Sequence, residues 1–411
     1  MKFSHLILPA AGLAALAWAL MNGVDGRAQP ASGMLPGATP VVEAIHFPTI
    51  QAALDALPPA GGVVRLPAGT FEVGEPLRVS RGDVLLEGAG TATHLKNVNT
   101  GGEPAIRIQP GNLAADPKAM LWRVKLADMR VTGNPKSGHG IEAVNVNEFF
   151  LDGVTVSENG GDGVRMVNCY EDPRICNSLF TYNKEAGLDL VACHDIVVSA
   201  NQFEENRDAL RCVDGYNLCM TGNCLDDHLR DGVVIENTYG SVVAGNMIEE
   251  CAGTAIILDR DCYGITLGAN VIAHETTGGI DLRDAHGCTV GANTFTIVKR
   301  NALVIGPSSS RITVTGNNFS DSTIGVGAVK RGTDDLDASG ITLNGTSDVA
   351  VSGNVFSGVT PKALAVEGDP SRRVLFSNNV LTDTAGDRAK LRDSRVGENL
   401  EDGAPRSAGG R

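Results

Sequence analysis

The sequence predicts an all-β fold, a single-stranded right-handed parallel β-helix of about 11–12 coils with an N-terminal capping helix. Three observations carry that reading. An Asn returns at Asn177, Asn201, Asn223, Asn246, Asn270, Asn293, Asn317, Asn354 and Asn378, at intervals of 24, 22, 23, 24, 23, 24, 37 and 24. Two places after each stands an apolar residue, from Leu179, Phe203 and Leu225 to Phe356 and Val380. A small residue keeps step with the Asn, at Gly140, Gly163, Gly187, Ala209, Gly232, Ala255, Gly279, Ala302, Gly340 and Ala363. Each is followed by alternating apolar residues, as in Ile141 and Ala143 or Leu303 and Ile305. Alternation of period two marks strands with one buried face. A sustained repeat of two dozen residues marks a solenoid, and the helical solenoids are excluded because stripes of period 3.6 are lacking.

Composition agrees. The 411 residues include 50 Gly, with 20% charged and 4% aromatic residues, which suits short strands and tight turns. A net charge of −14 argues against nucleic acid or an anionic membrane surface as partner. It leaves an acidic polysaccharide open, because a local basic cluster or a bound cation reverses the field in a cleft.

In chain order, residues 1–28 read as an export signal. Lys2 precedes an apolar run from Leu6 to Met21, and Gly26-Arg27-Ala28 offers small residues before a cut at Gln29. The mature chain is then expected to be secreted or periplasmic, to have no membrane span and to be a monomer. Residues 29–48 lead to the cap. "TIQAALDALPP" supplies an amphipathic helix with Ile50, Ala53, Leu54 and Leu57 on one face, stopped by Pro58-Pro59. It would cover the first coil, whose bare edge would otherwise pair with another chain. The coils are expected to span residues 49–382, with each Asn stacked on the last at a turn, where side-chain amides donate and accept along the column. The interval of 37 hides an insert between Phe319 and Gly340. Its Asp334, Asp335 and Asp337 lack the spacing of a calcium loop and read as a solvated acidic turn. Residues 383–411 are polar, without repeat marks, and are expected to form a disordered tail.

Residues 49–96 resemble the opening of the pectate-lyase superfamily, in particular its epimerase-like pectate lyases. The helix is followed by Val64-Arg65-Leu66-Pro67-Ala68-Gly69-Thr70-Phe71 and then by Gly88-Ala89-Gly90. The resemblance implies an exported carbohydrate-active β-helix, a lyase, hydrolase or epimerase. Fold analogy alone does not settle the chemistry.

Nine cysteines lie between Cys169 and Cys288. Cys169 and Cys193 hold equivalent places in neighbouring coils, about 5 Å apart and within bridging reach. Cys212 falls in an interior column. The spacing suggests neither zinc nor redox work.

Candidate chemistry comes from the outward column of the strand after each small landmark: Glu142, Arg165, Asp189, Arg211, Val234, Ile257, Asp281, Val304, Thr342 and Ala365. The residues just before the landmarks add His139, Asp162, Asp208 and Asp231. The catalytic candidates are therefore His139, Asp162, Arg165, Asp189, Asp208, Arg211 and Asp231, with Glu142 and Asp281 as candidates for substrate binding. The bland alternative is a solvated strip whose alternating signs avoid like-charge stacking. For β-elimination on a uronate, or the related C5-epimerisation, a base removes the proton α to the carboxylate while Arg or Ca²⁺ neutralises it. Arg165 and Arg211 would clamp, His139 would act as base or acid, and Asp162 and Asp189 are alternatives as Ca²⁺ ligands. For hydrolysis, Asp208 and Asp231 lie one coil apart and Asp162 and Asp208 two, about 5 and 10 Å.

Known motifs do not transfer. Polygalacturonase-type hydrolases place a D-D before a G-H-G. Here Gly138-His139-Gly140 comes first and Asp226-Asp227 falls off the face. Mannuronan epimerases carry D-P-H-D, where this chain has Asp172-Pro173-Arg174. His228, five places after Asn223, reads as a surface residue. A non-catalytic binding protein or scaffold remains the alternative from another class, supported by only 2 Trp and 5 Tyr for stacking on sugars.

Overall fold

A computed structural model describes residues 37–274, 276–320, 340–359 and 362–402. The export signal and the insert bearing Asp334, Asp335 and Asp337 lie outside the described residues. The chain divides into two units, residues 1–39 and residues 40–411.

The second unit is a parallel β-solenoid of about 14 turns with almost no helix. One sheet stacks twelve short parallel strands, from Leu77–Val79 to Leu364–Glu367. The remaining paired strands belong to a 30-stranded sheet. The turns beyond the expected 11–12 lie where the landmarks fail. Val41–Glu43 pairs with Gly62–Arg65 before any Asn landmark occurs. At the other end Leu391–Arg392, Arg395–Val396 and Leu400–Asp402, within the expected tail, add to the strands before them. Asn399 secures this coil by accepting from Asn379 Nδ2 at 3.1 Å. Its interval of 20 falls outside the repeat, which hides the coil from a reading of spacing.

The Asn column forms as expected, with a one-residue correction at each end. From Asn201 to Asn379 each Nδ2 donates to the Oδ1 of the next Asn at 2.9–3.1 Å. The same Oδ1 also accepts the preceding Asn's backbone N–H. All of these amides are buried, so each is satisfied by its neighbours in place of water. Asn177 and Asn378 are not in the column. They occupy the preceding corner, in left-handed conformation at φ 51° and 57°. Ser178 and Asn379 take the inner place, and Phe180 and Leu381, not Leu179 and Val380, fill the core. Asn tolerates that corner, which Ala200, Ala269 and Ala292 occupy in other coils, so an Asn there mimics the ladder residue in sequence.

A second ladder has no counterpart in the expected pattern. Asn159 Nδ2 donates to Asn183 Oδ1, and Asn183 Nδ2 to Asn206 Oδ1, each at 2.8 Å. It lies at the turn that enters the twelve-stranded sheet and fixes the backbone just before Asp162 and Asp208.

Inside the coils, Phe295, Phe319 and Phe356 stack with centroids 4.7 and 4.8 Å apart. Small landmarks are required because the next coil passes close by. A Cβ on Gly279 would stand 2.1 Å from the Ala302 carbonyl oxygen, and one on Gly232 2.4 Å from that of Ala255. The helix Ile50–Asp55 is capped by Thr49, whose Oγ1 accepts the Ala52 N–H at 3.0 Å. It buries Ala53 and Leu54, with Leu57 just beyond. Gln51 Oε1 accepts the Arg78 N–H at 2.8 Å, satisfying a backbone group on the first strand of the twelve-stranded sheet.

All nine cysteines are free thiols, Cys169 and Cys193 included. Burial pushes Cys212 and Cys251 up to about 12 and Cys262 up to about 11. Thiols held protonated in this way pack as small apolar groups.

Candidate functional site

The strip on the twelve-stranded sheet has the predicted register. Glu142 pairs with Arg165, Arg165 with Asp189, Asp189 with Arg211, and then come Val234, Ile257, Asp281 and Val304. At about 4.8 Å per coil, Glu142 to Arg211 spans about 15 Å. Asp281 stands three coils beyond Arg211, past the buried Val234 and Ile257, and bonds Arg283 Nε at 2.8 Å. It belongs to a separate ion pair.

Arg107 extends the strip by one coil in the other direction, paired in register with Glu142. Its Nε donates to Glu142 Oε2 at 2.8 Å and a terminal nitrogen to Glu103 Oε2 at 2.7 Å. The signal was present in Ala105-Ile106-Arg107-Ile108, which has the landmark pattern. The wider interval to Gly140 hid it.

The centre of the strip is Asp189, only 4% exposed. Its Oδ1 is buried and has no hydrogen-bond partner. Arg211 Nη1 stands 3.8 Å from Oδ1 and Arg165 Nε 3.9 Å from Oδ2, both beyond hydrogen-bond range. Burial pushes the Asp189 carboxyl above the usual carboxylate range, and Asp162 adds to the rise, while Arg211, Arg165 and His139 oppose it. The two arginine side chains are 39% and 32% exposed, so both can turn toward an anion arriving from solvent.

The column before the landmarks does different work. Its members accept backbone N–H groups from the next coil. Asp162 Oδ1 takes that of Ala186 at 2.9 Å, Asp208 Oδ1 that of Asp231 at 3.1 Å, and Asp231 Oδ1 that of Thr254 at 2.9 Å. His139 Nδ1 lies 3.1 Å from both the Asp162 amide and its carboxylate. A neutral ring accepts from the amide, whereas an imidazolium donates to the carboxylate. Asp208 is fully buried and held by Arg230 through both carboxylate oxygens. Asp162, Asp208 and Asp231 are therefore engaged in the frame, Asp162 keeping its Oδ2 beside His139. Glu142, Arg165, Asp189 and Arg211 form the strip in register beside them.

His228, expected at the surface, is 1% exposed. It continues the second ladder one coil past Asn206, with Nδ1 3.3 Å from the Asn206 carbonyl oxygen and Nε2 unpartnered. Burial lowers its pKa to about 4. The spacing of Asn159, Asn183, Asn206 and His228 carries the signal, which is legible only once that ladder is recognised.

Among the described residues, Asp226, Asp227 and Glu250 bring carboxylate oxygens within 4.8 Å of one another. They lie off the strip, and burial raises both Asp226 and Glu250, followed by the Glu249 charge for Asp226 and a hydrogen bond with Asp227 for Glu250.

An open parallel β-helix with a charged strip across one sheet is thus the class of protein defined by fold and site. Residues 184–336, less than half of the chain, match the model of a family described as periplasmic copper-binding protein (NosD). Comparison with curated protein sequences finds no match. Among solved structures, the A-module of the Azotobacter vinelandii mannuronan C-5 epimerase AlgE6 aligns over 86% of this chain and 94% of its own, at 17% identity and a TM-score of 0.50. The catalytic unit of a GH87 α-1,3-glucanase from Streptomyces thermodiastaticus aligns over 92% and 70%, at 16% identity and 0.53. A DFA-IIIase from Arthrobacter chlorophenolicus aligns over 87% and 98%, at 15% identity and 0.51. At these identities the likeness shows the fold alone.

Among the described residues, copper binding finds no support in the donor set. Copper sites draw on imidazole, thiolate and thioether. The described cluster that could hold an ion offers three carboxylates, and the thiols of the matched segment with clear shifts are held protonated by burial. No helix among the described residues is long and apolar enough to cross a membrane.

Proposed function

We propose that this protein is an exported carbohydrate-active β-helix. It lays an acidic polysaccharide along Glu142, Arg165, Asp189 and Arg211 and acts on it by β-elimination or C5-epimerisation. The observation that carries the reading is Asp189, a buried carboxyl with an unpartnered oxygen between two arginines that do not hydrogen-bond it. The family match names a periplasmic protein, and solved neighbours of the same fold include an epimerase and a glucanase, which supports the class of substrate.

Arg165 and Arg211 receive the uronate carboxylate, and their charge stabilises the carbanion-like electron density that develops on it. A base removes the C5 proton. Asp189 suits this role because its raised pKa brings it nearer neutrality, and His139 with Asp162 supplies a second proton-handling pair. In elimination the electron pair forms the C4–C5 double bond and expels the O4 leaving group, which takes up a proton. In epimerisation the proton returns to C5 from the opposite face. Ca²⁺ beside Asp162 and Asp189 would compete with the two arginines for the same carboxylates.

Hydrolysis is disfavoured because Asp208 and Asp231 are committed to backbone and Arg230 contacts. The test is incubation of the purified protein with alginate and polygalacturonate, with and without EDTA. Ultraviolet absorbance from an unsaturated uronate supports elimination, and inversion at C5 seen by NMR supports epimerisation. New reducing ends without unsaturation would replace the reading with hydrolysis. Binding without turnover would reduce it to a binding protein.

A further inference from the structure

A second outward column runs beside the charged strip, two residues further along each strand. Next to Glu142, Arg165, Asp189 and Arg211 it consists of Val144, Val167, Val191 and Val213, paired in register and partly exposed. These valines give the strip an apolar ledge about 15 Å long. The corner beyond the ledge carries Asn145, Asn168, Ala192 and Asp214, none of them a cation. One coil later the two columns exchange character. The strip continues as Val234 and Ile257, both buried, while the ledge continues as Glu236 and Asp259.

Charge along the strip is uneven in the same way. At its start Glu103 and Glu142 share one arginine, Arg107. At its far end Glu236, Asp259 and Asp281 outnumber Arg260 and Arg283, which stand 2.8–3.7 Å from them. Between these ends, where Arg165 and Arg211 flank Asp189, the cations outnumber the carboxylate. This is also where the buried Asp189 Oδ1 lacks a partner.

We infer that the strip selects a heteropolysaccharide whose uronates are isolated among neutral sugars, in preference to a homopolyuronate. The inference rests on the reading of Arg165 and Arg211 as a carboxylate clamp. A pyranose unit is about as long as one coil is high, so a glycan running along the strip sets one sugar per coil. With one uronate held at Asp189, the adjoining units find both arginines already engaged. The units after them reach Glu142 on one side and Val234, beside Glu236, on the other. A ring turned over, as in a twofold chain, brings its carboxylate onto the valines and their corner, which offer nothing to offset its lost hydration. A neutral sugar meets neither penalty. Its C–H face packs on the ledge, and its hydroxyls donate to Glu142 and Glu236. A homopolyuronate still fits one unit to the clamp, so it binds more weakly and is not refused.

Affinity electrophoresis of the full chain tests this in gels containing polygalacturonate, alginate or deacylated gellan, whose glucuronates are isolated among neutral sugars. Retardation by gellan about tenfold stronger than by either homopolyuronate is expected, and Arg165→Ala with Arg211→Ala should remove it. Val191→Lys places a cation on the ledge and should strengthen retardation by polygalacturonate about threefold, the effect of one exposed ion pair. Its melting temperature should stay near wild type, because the side chain faces outward. Retardation by polygalacturonate or alginate equal to that by gellan would overturn the inference and leave the clamp standing. So would a folded Val191→Lys protein that binds polygalacturonate no better than the wild type. A wild type that migrates freely in all three gels would remove the clamp itself, and the inference with it.

Discussion

Arg211 Nη1 stops 3.8 Å short of Asp189 Oδ1, an oxygen that is buried and has no other polar partner. A close ion pair would satisfy the carboxylate and immobilise the arginine. At this separation neither happens. The arginine remains available to an incoming anion, and Asp189 bears the cost of burial largely uncompensated.

Replacing both arginines tests the clamp. Arg165→Ala with Arg211→Ala is expected to abolish turnover on an acidic polysaccharide while circular dichroism and melting temperature stay near wild type. Neither side chain supports the backbone, and both are about a third exposed. Unchanged turnover would remove the strip as the site.

Asp189→Asn separates stability from function. Because folding raises the Asp189 pKa, the folded state holds this proton more tightly than the unfolded chain. The group therefore favours folding at low pH and opposes it once both states are ionised. The neutral amide should raise the melting temperature at pH 7 and lower turnover at least a hundredfold. A less stable but fully active variant would contradict both halves.

Asp208→Asn should behave in the opposite way. The carboxylate is buried against Arg230 and accepts the Asp231 N–H. Breaking the pair is expected to cost about 3 kcal/mol in urea denaturation, the lower end for a buried pair because Arg230 is half exposed. Activity per folded molecule should not change.

His228 predicts an acid limit. Its pKa is about 4 in the folded protein against 6.5 unfolded, so the unfolded chain binds the proton first. The stabilising effect of keeping the ring neutral is complete above pH 6.5 and is lost as the pH falls toward 4, by roughly 3 kcal/mol. His228→Asn, the residue of the preceding three ladder positions, should flatten the stability profile over that window. An identical profile in the variant would refute the assignment.

Asn270 tests the frame. Its amide donates to Asn293 Oδ1 and the Val243 carbonyl oxygen and accepts from Asn246. Asn270→Ala leaves several buried groups unpaired and should cost about 3 kcal/mol, read from urea midpoints. Asn177→Ala, at the solvent-facing corner, should cost far less.

By itself the sequence determined the repeat, and with it the strand register. Asn spacing and alternating aliphatics place Glu142, Arg165, Asp189 and Arg211 in adjacent coils, because a period of two residues admits only one choice of buried face. It did not determine which charges are already spent. Asp189 and Asp208 stand in neighbouring columns whose spacing does not distinguish a spent charge from an available one, yet Asp208 is locked to Arg230 and Asp189 has an unpartnered oxygen. Side-chain reach across coils decides that difference, and it is not encoded in spacing. His228 and the column Tyr216, Tyr239 and Tyr263 follow the repeat spacing, but the burial of the one and the stacking of the others are decided by contacts between coils. A solenoid writes its backbone in local pattern. Its surface chemistry arises from contacts between residues about two dozen positions apart, and only the wound structure puts those side by side.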